Sequence, residues 1–320
     1  MQHRFSEVPD VKIPRSTFDR SHGYKTTFDG GWLVPFFIDE ALPGDTFKCN
    51  CTGFARLSTP TFPIMDNLFL ETFYFAVPIR LVWENWQKMC GEQVDPGDSI
   101  DFTTPIIDDL NNAPNMSIYD YFGIPTQNAA DLEINALPLR AYYLIWNEWF
   151  RDENLQDSLD VPKDNGPDAM ADYELQKRGK RHDYFTSSLP WLQKGDAVSL
   201  PLGTSAPITG IGPDDGNAAA GPKAFRETDE TSASSAANYW HDDVVIEADP
   251  NNANYPNIRA DLTAATAATV NELRQAVQVQ RLLERDARSG TRYTEIIRSH
   301  FGVTSADSRL QRPEYLGGGR

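Results

Sequence analysis

The 320-residue sequence predicts a mainly β fold that is interrupted by helical insertions. Aromatic and β-branched residues occur in short runs, and turn signals such as Asp29-Gly30-Gly31 and Pro43-Gly44-Asp45 separate these runs. The 22 prolines argue against long uninterrupted helices, because proline lacks a backbone donor and clashes with the preceding helical turn. Apolar residues follow a helical spacing in only a few segments.

Four runs in the first quarter of the chain predict strands, at residues 24–28, 32–38, 46–57 and 67–77. The last run, NLFLETFYFAV, is almost continuously apolar, as is typical of a strand that is buried on both faces. A further short strand is predicted at residues 198–202.

Helical spacing predicts a short helix at residues 81–90 and an amphipathic helix at 139–151, where Pro138 suits the first turn. The strongest helical pattern covers residues 263–288 and is expected to end at Gly290. A second helix is predicted at 293–301. Residues 92–109 carry six carboxylates and no basic residue, which predicts a solvated acidic loop.

These elements divide the chain into four regions. Residues 1–22 are polar and are interpreted either as an extended arm on a neighbouring subunit or as a frayed terminus. Residues 23–202 hold the predicted strands with helical and acidic-loop insertions. Residues 203–261, rich in small and polar residues, predict a surface insertion or a disordered linker, and residues 244–246 could anchor a hairpin there. Residues 262–320 are helical and end in a flexible tail or a cut.

The net charge of −17 makes a general affinity for nucleic acid or membranes unfavourable, so a nucleic-acid role needs a local basic patch. The N-terminus lacks the apolar core of a signal peptide. The longest apolar stretch, residues 67–83, contains Glu71, Pro78 and Arg80 and is too short to cross a bilayer. We therefore expect no membrane insertion.

A search for reactive motifs predicts no catalytic, cofactor or metal site. None of the five histidines has a metal-ligand spacing, and Cys49-x-Cys51 has no second pair, so these two cysteines are expected to be small buried residues. Nucleophile-elbow and phosphate-loop motifs are absent. Abundant tryptophan and carboxylates leave one alternative, a glycan-binding or sugar-cleaving β-sandwich. Helical i, i+3 spacing favours packing anchors instead for Trp83, Trp86, Trp146 and Trp149.

Two basic patches are the candidate functional residues. The first is a stripe along one side of the 263–288 helix, made of Arg274, Arg281, Arg285 and Arg288. The second is the cluster Lys177, Arg178, Lys180 and Arg181. Each patch is expected to meet an acidic surface of another subunit, an acidic group within the chain, or the phosphates of a nucleic acid.

Several short sequence motifs extend this interpretation. In chain order they are PRSTFD from residue 14, LPGDT from 42, PIMDNLFL from 63, RLVWENW from 80, LRAY from 139, WNEWFR from 146, KRHDYF from 180, LLERDAR from 282, TRYTE from 291 and RPEYLG from 312. With these motifs the chain resembles the major capsid protein of gokushoviruses, small single-stranded DNA phages of the Microviridae.

The resemblance implies a viral jelly roll, an eight-stranded β-barrel or sandwich with large insertions between strands. It implies a non-enzymatic subunit of an icosahedral shell around circular single-stranded DNA, located in the virion and assembled in the host cytoplasm without a cofactor. In such proteins an insertion projects at the three-fold axes, which matches residues 203–261 and makes them the candidate for contact with a host receptor. Members of the family continue well past the position of Gly317, so we expect this chain to lack closing strands of the barrel.

Overall fold

The computed structural model describes residues 14–126, 132–179, 189, 191–199, six short strand segments between 208 and 260, and 269–320. The chain forms two compact units, one made of Met1–Ser188 with Thr291–Arg320 and the other of Leu189–Gly290. The protein is mainly non-helical, with few strands and few helices. Residues 1–13 and most of the predicted insertion at 203–261 lie outside the described residues.

The strands are short and pair two by two. In chain order they are β1 (Thr72–Ala76), β2 (Ile106–Leu110), β3 (Leu132–Asn135), β4 (Ile208–Thr209), β5 (Ile211–Pro213), β6 (Val244–Ile246), β7 (Ala248–Asp249), β8 (Asn252–Pro256), β9 (Arg259–Ala260) and β10 (Glu314–Gly319). Antiparallel pairs join β1 to β10 and β2 to β3 in the first unit. In the second unit they join β4 to β9, β5 to β6 and β7 to β8.

Among the described residues, five α-helices accompany the strands. They are α1 (Trp86–Met89), α2 (Ile118–Tyr121), α3 (Leu137–Ile145), α4 (Val270–Ser289) and α5 (Tyr293–Phe301). Short 3-10 turns cover Ile79–Leu81 and Met170–Asp172, and a π-helical turn, Trp146–Phe150, continues α3. The helices predicted at 139–151 and 293–301 are confirmed. The one predicted at 263–288 is confirmed from residue 270 onward and stops at Gly290, whose φ of 93° ends it.

Three of the predicted strands are wrong. Residues 24–28, 32–38 and 46–57 form no strand, although Trp32 makes an isolated bridge to Lys177. Their composition suits a strand, but a strand also needs a hydrogen-bonded neighbour, and these segments have no ladder partner among the described residues. In the strand predicted at 198–202, residues 198 and 199 are not in a strand and the others lie outside the described residues.

The strand predicted at 67–77 is confirmed only as β1, and all five of its residues are half-buried instead of buried on both faces. Its partner is β10, so the glycine-rich end is a strand and the alternative that it forms a flexible tail is wrong. Glycine is required at one point of this pair, because a β-carbon on Gly318 would collide with the carbonyl oxygen of Thr72.

The core of the first unit lies between β2, α2 and α3. Its largest cluster contains Ile107, Leu110, Ile118, Tyr119, Leu139, Tyr143 and Tyr173. The solvated loop predicted at 92–109 is therefore wrong over its last part, where β2 begins and Pro105 and Ile107 are buried. Residues 92–104 are exposed, as predicted. Helix α3 begins where Asn135 Oδ1 accepts a 2.9 Å hydrogen bond from the backbone N–H of Leu137.

In the second unit, α4 begins with a reciprocal cap. The backbone N–H of Glu272 donates to Thr269 Oγ1 at 3.2 Å, and the N–H of Thr269 donates to Glu272 Oε2 at 2.7 Å. Ala287 is buried, and Gln280 donates to Gln193 Oε1 at 2.6 Å, so α4 packs on one side against residues 193–195. The run at residues 244–246, where a hairpin was expected, forms β6 and pairs antiparallel with β5; the connection at residues 214–243 lies outside the described residues.

Candidate functional site

One buried charge lies at the centre of the first unit. The side chain of Arg140, on α3, has no exposed surface. Its Nε donates to Asp168 Oδ2 at 2.8 Å and its Nη2 donates to Asp168 Oδ1 at 2.5 Å. Its Nη1 donates to the carbonyl oxygens of Val82 at 3.1 Å and Asp164 at 2.8 Å, and Nη2 also reaches Asp164 Oδ1 at 3.1 Å. Every nitrogen of this guanidinium is therefore satisfied inside the core.

Asp168 connects this arginine to the rest of the core. It accepts a 2.6 Å hydrogen bond from the Tyr173 hydroxyl, and its backbone N–H donates to the carbonyl of Ile106 at 2.8 Å. Burial raises the pKa of Asp168, but the hydrogen bonds from Arg140 and Tyr173 outweigh it, so the pKa lies below its ordinary value. The cluster joins α3, β2 and residues 164–173. Because it is buried and saturated, it positions the core and offers no reactive group.

A long exposed segment, residues 41–70, precedes β1. Every one of its residues is exposed, and none belongs to a helix or strand. Met65 is 93% exposed, Phe54 92% and Phe62 79%. The other large apolar side chains that it exposes are Leu42, Phe47, Leu57, Ile64, Leu68, Phe69 and Leu70. Large apolar surfaces of this kind mark sites of interaction with other macromolecules.

Residues on both sides of the exposed segment contact the rest of the first unit. Before it, the N–H of Leu33 donates to Gln176 at 2.9 Å, and the Tyr142 hydroxyl donates to the carbonyl of Leu33 at 2.8 Å. After it, Glu71 pairs with Arg178, and β1 follows at once. The apolar side chains of residues 41–70 are thus presented from a segment that has such contacts on both sides.

The 177–181 basic cluster contributes to this attachment. The Lys177 ammonium lies 4.8 Å from the centre of the Trp32 ring. The Arg178 guanidinium pairs with Glu71 and lies 5.1 Å from the centre of the Phe73 ring. Arg178 therefore meets an acidic group within the chain, which is one of the three expected partners, whereas Lys177 meets an aromatic ring. Lys180 and Arg181 lie outside the described residues.

The arginines of α4 lie together as the sequence predicts. With 100° per residue, Arg274, Arg281, Arg285 and Arg288 fall within a sector of about 60°, and all four are exposed. Arg288 makes a 3.4 Å ion pair with Glu284. In the described part of the chain, Arg274, Arg281 and Arg285 have no acidic partner.

The prediction of packing residues is confirmed for four tryptophans, which are Trp83, Trp86, Trp146 and Trp149. Trp83 and Trp146 are 1% and 5% exposed. Trp149 packs on Phe75 and Tyr315 at ring distances of 5.5 and 5.9 Å, where β1 and β10 meet the π-helical turn.

Among the described residues, no three histidine, cysteine or acidic side chains come together as a metal site, and no helix is long and apolar enough to cross a membrane. The cysteines are unpaired, and Cys49 and Cys51 are exposed, so the prediction that they are buried is wrong. Both cysteines lie in the exposed 41–70 segment. Their burial was expected because residues 46–57 were predicted to form a strand, and these residues form none.

Comparison with known proteins identifies the family. The sequence profile described as "Capsid protein (F protein)", a phage family, matches residues 6–320. The chain belongs to this phage capsid family. It is 51% identical over 329 residues to "Capsid protein VP1" of Bdellovibrio phage phiMH2K, which covers 99% of the chain and 61% of that relative.

Two further relatives agree with this membership. "Capsid protein VP1" of Chlamydia phage 1 is 40% identical over 385 residues, covering 100% of the chain and 64% of the relative. "Capsid protein VP1" of Spiroplasma virus 4 is 35% identical over 339 residues, covering 99% and 61%. The resemblance to gokushovirus capsid proteins is therefore confirmed. The chain spans less than two thirds of the length of each of these three relatives.

Sequence reasoning missed two features of this family member. Arg140 was part of a matching motif, but its burial was not predicted. The sequence did contain a signal for this burial, because Arg140 lies on the same helical face as the apolar residues Leu137 and Tyr143. A lone arginine on such a face is buried only when an acidic residue pairs with it. The exposed 41–70 segment was missed because its apolar residues were assigned to strands.

Proposed function

We propose that this chain is a structural capsid subunit that assembles with copies of itself into an icosahedral shell around circular single-stranded DNA. The observation that carries the proposal is the exposed apolar segment at residues 41–70. Relatives of up to 51% identity are named capsid proteins, and this supports a non-enzymatic subunit that needs no cofactor.

The energetics of the exposed segment favour a partner. Burying one large apolar side chain contributes about 1.5–3 kcal/mol, so Phe54, Phe62 and Met65 together represent several kcal/mol of association energy. Most oligomers are built from identical copies with closed symmetry, in which one repeated surface serves every subunit. A segment that presents many apolar side chains suits such a repeated contact.

The proposed fold of the complete subunit is an eight-stranded jelly roll with large insertions. The β1–β10 pair supports it, because β1 and β10 are far apart in sequence and the described residues give each strand only one neighbour. A two-stranded pair is marginal on its own, so additional strands would stabilise it. Residues 1–22 are proposed as an arm, 23–202 as barrel strands with insertions, and 262–320 as a helical return to the barrel.

The remaining roles are assigned by region. The insertion at 203–261 is proposed to project from the shell and to meet the host receptor. Acidic surfaces of other subunits or packaged DNA are the proposed partners of the remaining basic residues, which are Arg274, Arg281, Arg285, Lys180 and Arg181. The subunit is proposed to assemble in the host cytoplasm and to reside in the virion, without membrane insertion.

Sedimentation velocity of the purified chain over a range of concentrations tests the proposal. We expect association, and we expect Phe54→Ser with Phe62→Ser to weaken it by about 2 kcal/mol or more, which is roughly 30-fold. Both residues are exposed, so the fold should persist. Leu155→Ser is the matched control, because Leu155 is 65% exposed but lies outside the segment. A wild-type chain that stays monomeric, or equal effects of both changes, would contradict the proposal.

A further inference from the structure

Two exposed surfaces in the described part of the chain carry charges of opposite sign, the arginine stripe of α4 and the loop at residues 92–104. We infer that the arginine stripe of α4 docks on the acidic loop, residues 92–104, of a second copy of the chain. This inference rests on the proposed self-assembly and names one of its contacts. Neither surface has a described partner of opposite charge, apart from the pair between Arg288 and Glu284.

The α4 surface combines arginine with aliphatic side chains. Val270, Leu273 and Val277 are 65%, 45% and 42% exposed, and they lie beside Arg274 and Arg281 on the helix. The other side of α4, around Ala287, is the side that packs within the second unit. Arginine next to exposed aliphatic residues is typical of protein–protein interfaces.

The 92–104 loop has the complementary composition. All of its residues are exposed, and its carboxylates are Glu92, Asp95, Asp98 and Asp101. Val94 and Ile100, which are 86% and 55% exposed, lie between these carboxylates. Hydrogen bonds within the loop shape it, because the N–H of Asp95 donates to Asp98 Oδ2 at 2.9 Å and Gln93 donates to the carbonyl of Asp98 at 2.8 Å.

The two surfaces also match in charge. The stripe from Arg274 to Arg288 is about 21 Å long at 1.5 Å per residue, and three of its four arginines have no described acidic partner. The loop carries four carboxylates between residues 92 and 101, so several ion pairs can form. Like charges at wrong positions would repel, so this contact would fix the register of neighbouring subunits.

Nucleic acid is the less suitable partner for α4. Single-stranded nucleic acid binds to basic grooves that also present aromatic rings for the bases to stack on. Helix α4 has no aromatic residue among its 20 positions, and its arginines are interleaved with exposed valine and leucine. The chain as a whole carries a net charge of −17, which repels phosphates.

A charge-exchange experiment on the full chain tests the inference. One variant carries Arg281→Glu and Arg285→Glu, and the other carries Asp95→Lys and Asp98→Lys. We expect each variant alone to associate at least about tenfold more weakly than wild type, and association to return when the two variants are mixed. The control, Arg298→Glu with Arg309→Glu, changes two exposed arginines elsewhere by the same charge and should leave association unchanged.

Three other outcomes would overturn the inference, and each points to a different role for the stripe. An α4 variant that associates like wild type shows that the stripe is not at a subunit contact. Two variants that stay weak after mixing place the contact within one chain. Lost binding of an oligo(dT) strand with unchanged self-association assigns the stripe to nucleic acid. If wild type associates in any of these cases, the proposed function stands, whereas a monomeric wild type contradicts both.

Discussion

Asp168 and Asp164 both contact Arg140, but only Asp168 is buried. Substitution of each one therefore shows how much burial adds to the stabilising effect of an ion pair in this core. The side chain of Asp168 is 4% exposed and that of Asp164 is 72% exposed. Asp168→Asn leaves the guanidinium of Arg140 without its buried carboxylate partner, and we expect a loss of about 3–5 kcal/mol in the free energy of unfolding. Asp164→Asn removes a solvent-screened charge and should cost no more than about 1 kcal/mol.

Urea-induced unfolding followed by tryptophan fluorescence measures this difference, because Trp83 and Trp146 are buried and report on core opening. A third variant, Arg140→Met with Asp168→Leu, removes both buried charges and should recover most of the lost stability. Equal losses for Asp164→Asn and Asp168→Asn would refute the view that burial makes this ion pair decisive.

Three further changes follow from the same structure. The pKa of Asp168 is lowered in the folded state, so its carboxylate stabilises the fold fully above the ordinary carboxyl pKa of about 4. This stabilisation is lost as the pH falls through the lower pKa of the folded state. The free energy of unfolding, measured at a series of acidic pH values, should show this loss in wild type and not in Asp168→Asn. Gly318→Ala should destabilise the β1–β10 pair by about 1–3 kcal/mol, and Gly319→Ala by much less, since only a side chain at Gly318 meets the backbone of Thr72; thermal unfolding measures both. Thr269→Ala should weaken the start of α4 by about 1 kcal/mol, seen as reduced helical circular dichroism.

The helices could be predicted well because their signals are local. The apolar spacing of residues 293–301 and the glycine at 290 each lie within a few residues of the element that they define. The strands could not be predicted in the same way. Residues 46–57 and 72–76 have similar compositions, but only the second segment finds a partner, and that partner is about 240 residues away. The local pattern of residues does not predict a strand pair between segments so far apart in the sequence.

The candidate surfaces were predicted in part. The stripe of Arg274, Arg281, Arg285 and Arg288 follows from helical periodicity alone, and the structure presents it as expected. The 41–70 segment could not be found in this way, because an exposed apolar residue and a buried one look identical in sequence. Its exposure depends on which other segments cover it. In the proposed account, those segments belong to neighbouring subunits.

Oxidative labelling of Met65 tests the central claim most directly. Met65 is 93% exposed in the single chain and lies within the 41–70 segment. Its rate of oxidation by peroxide is measured by mass spectrometry in dilute and in associated samples, relative to free methionine in the same tube. We expect Met65 to be oxidised rapidly in the dilute chain and to be protected at least about tenfold after association, because subunit contact removes it from solvent. Equal oxidation rates in the two samples would contradict the claim that this segment forms the contact between subunits.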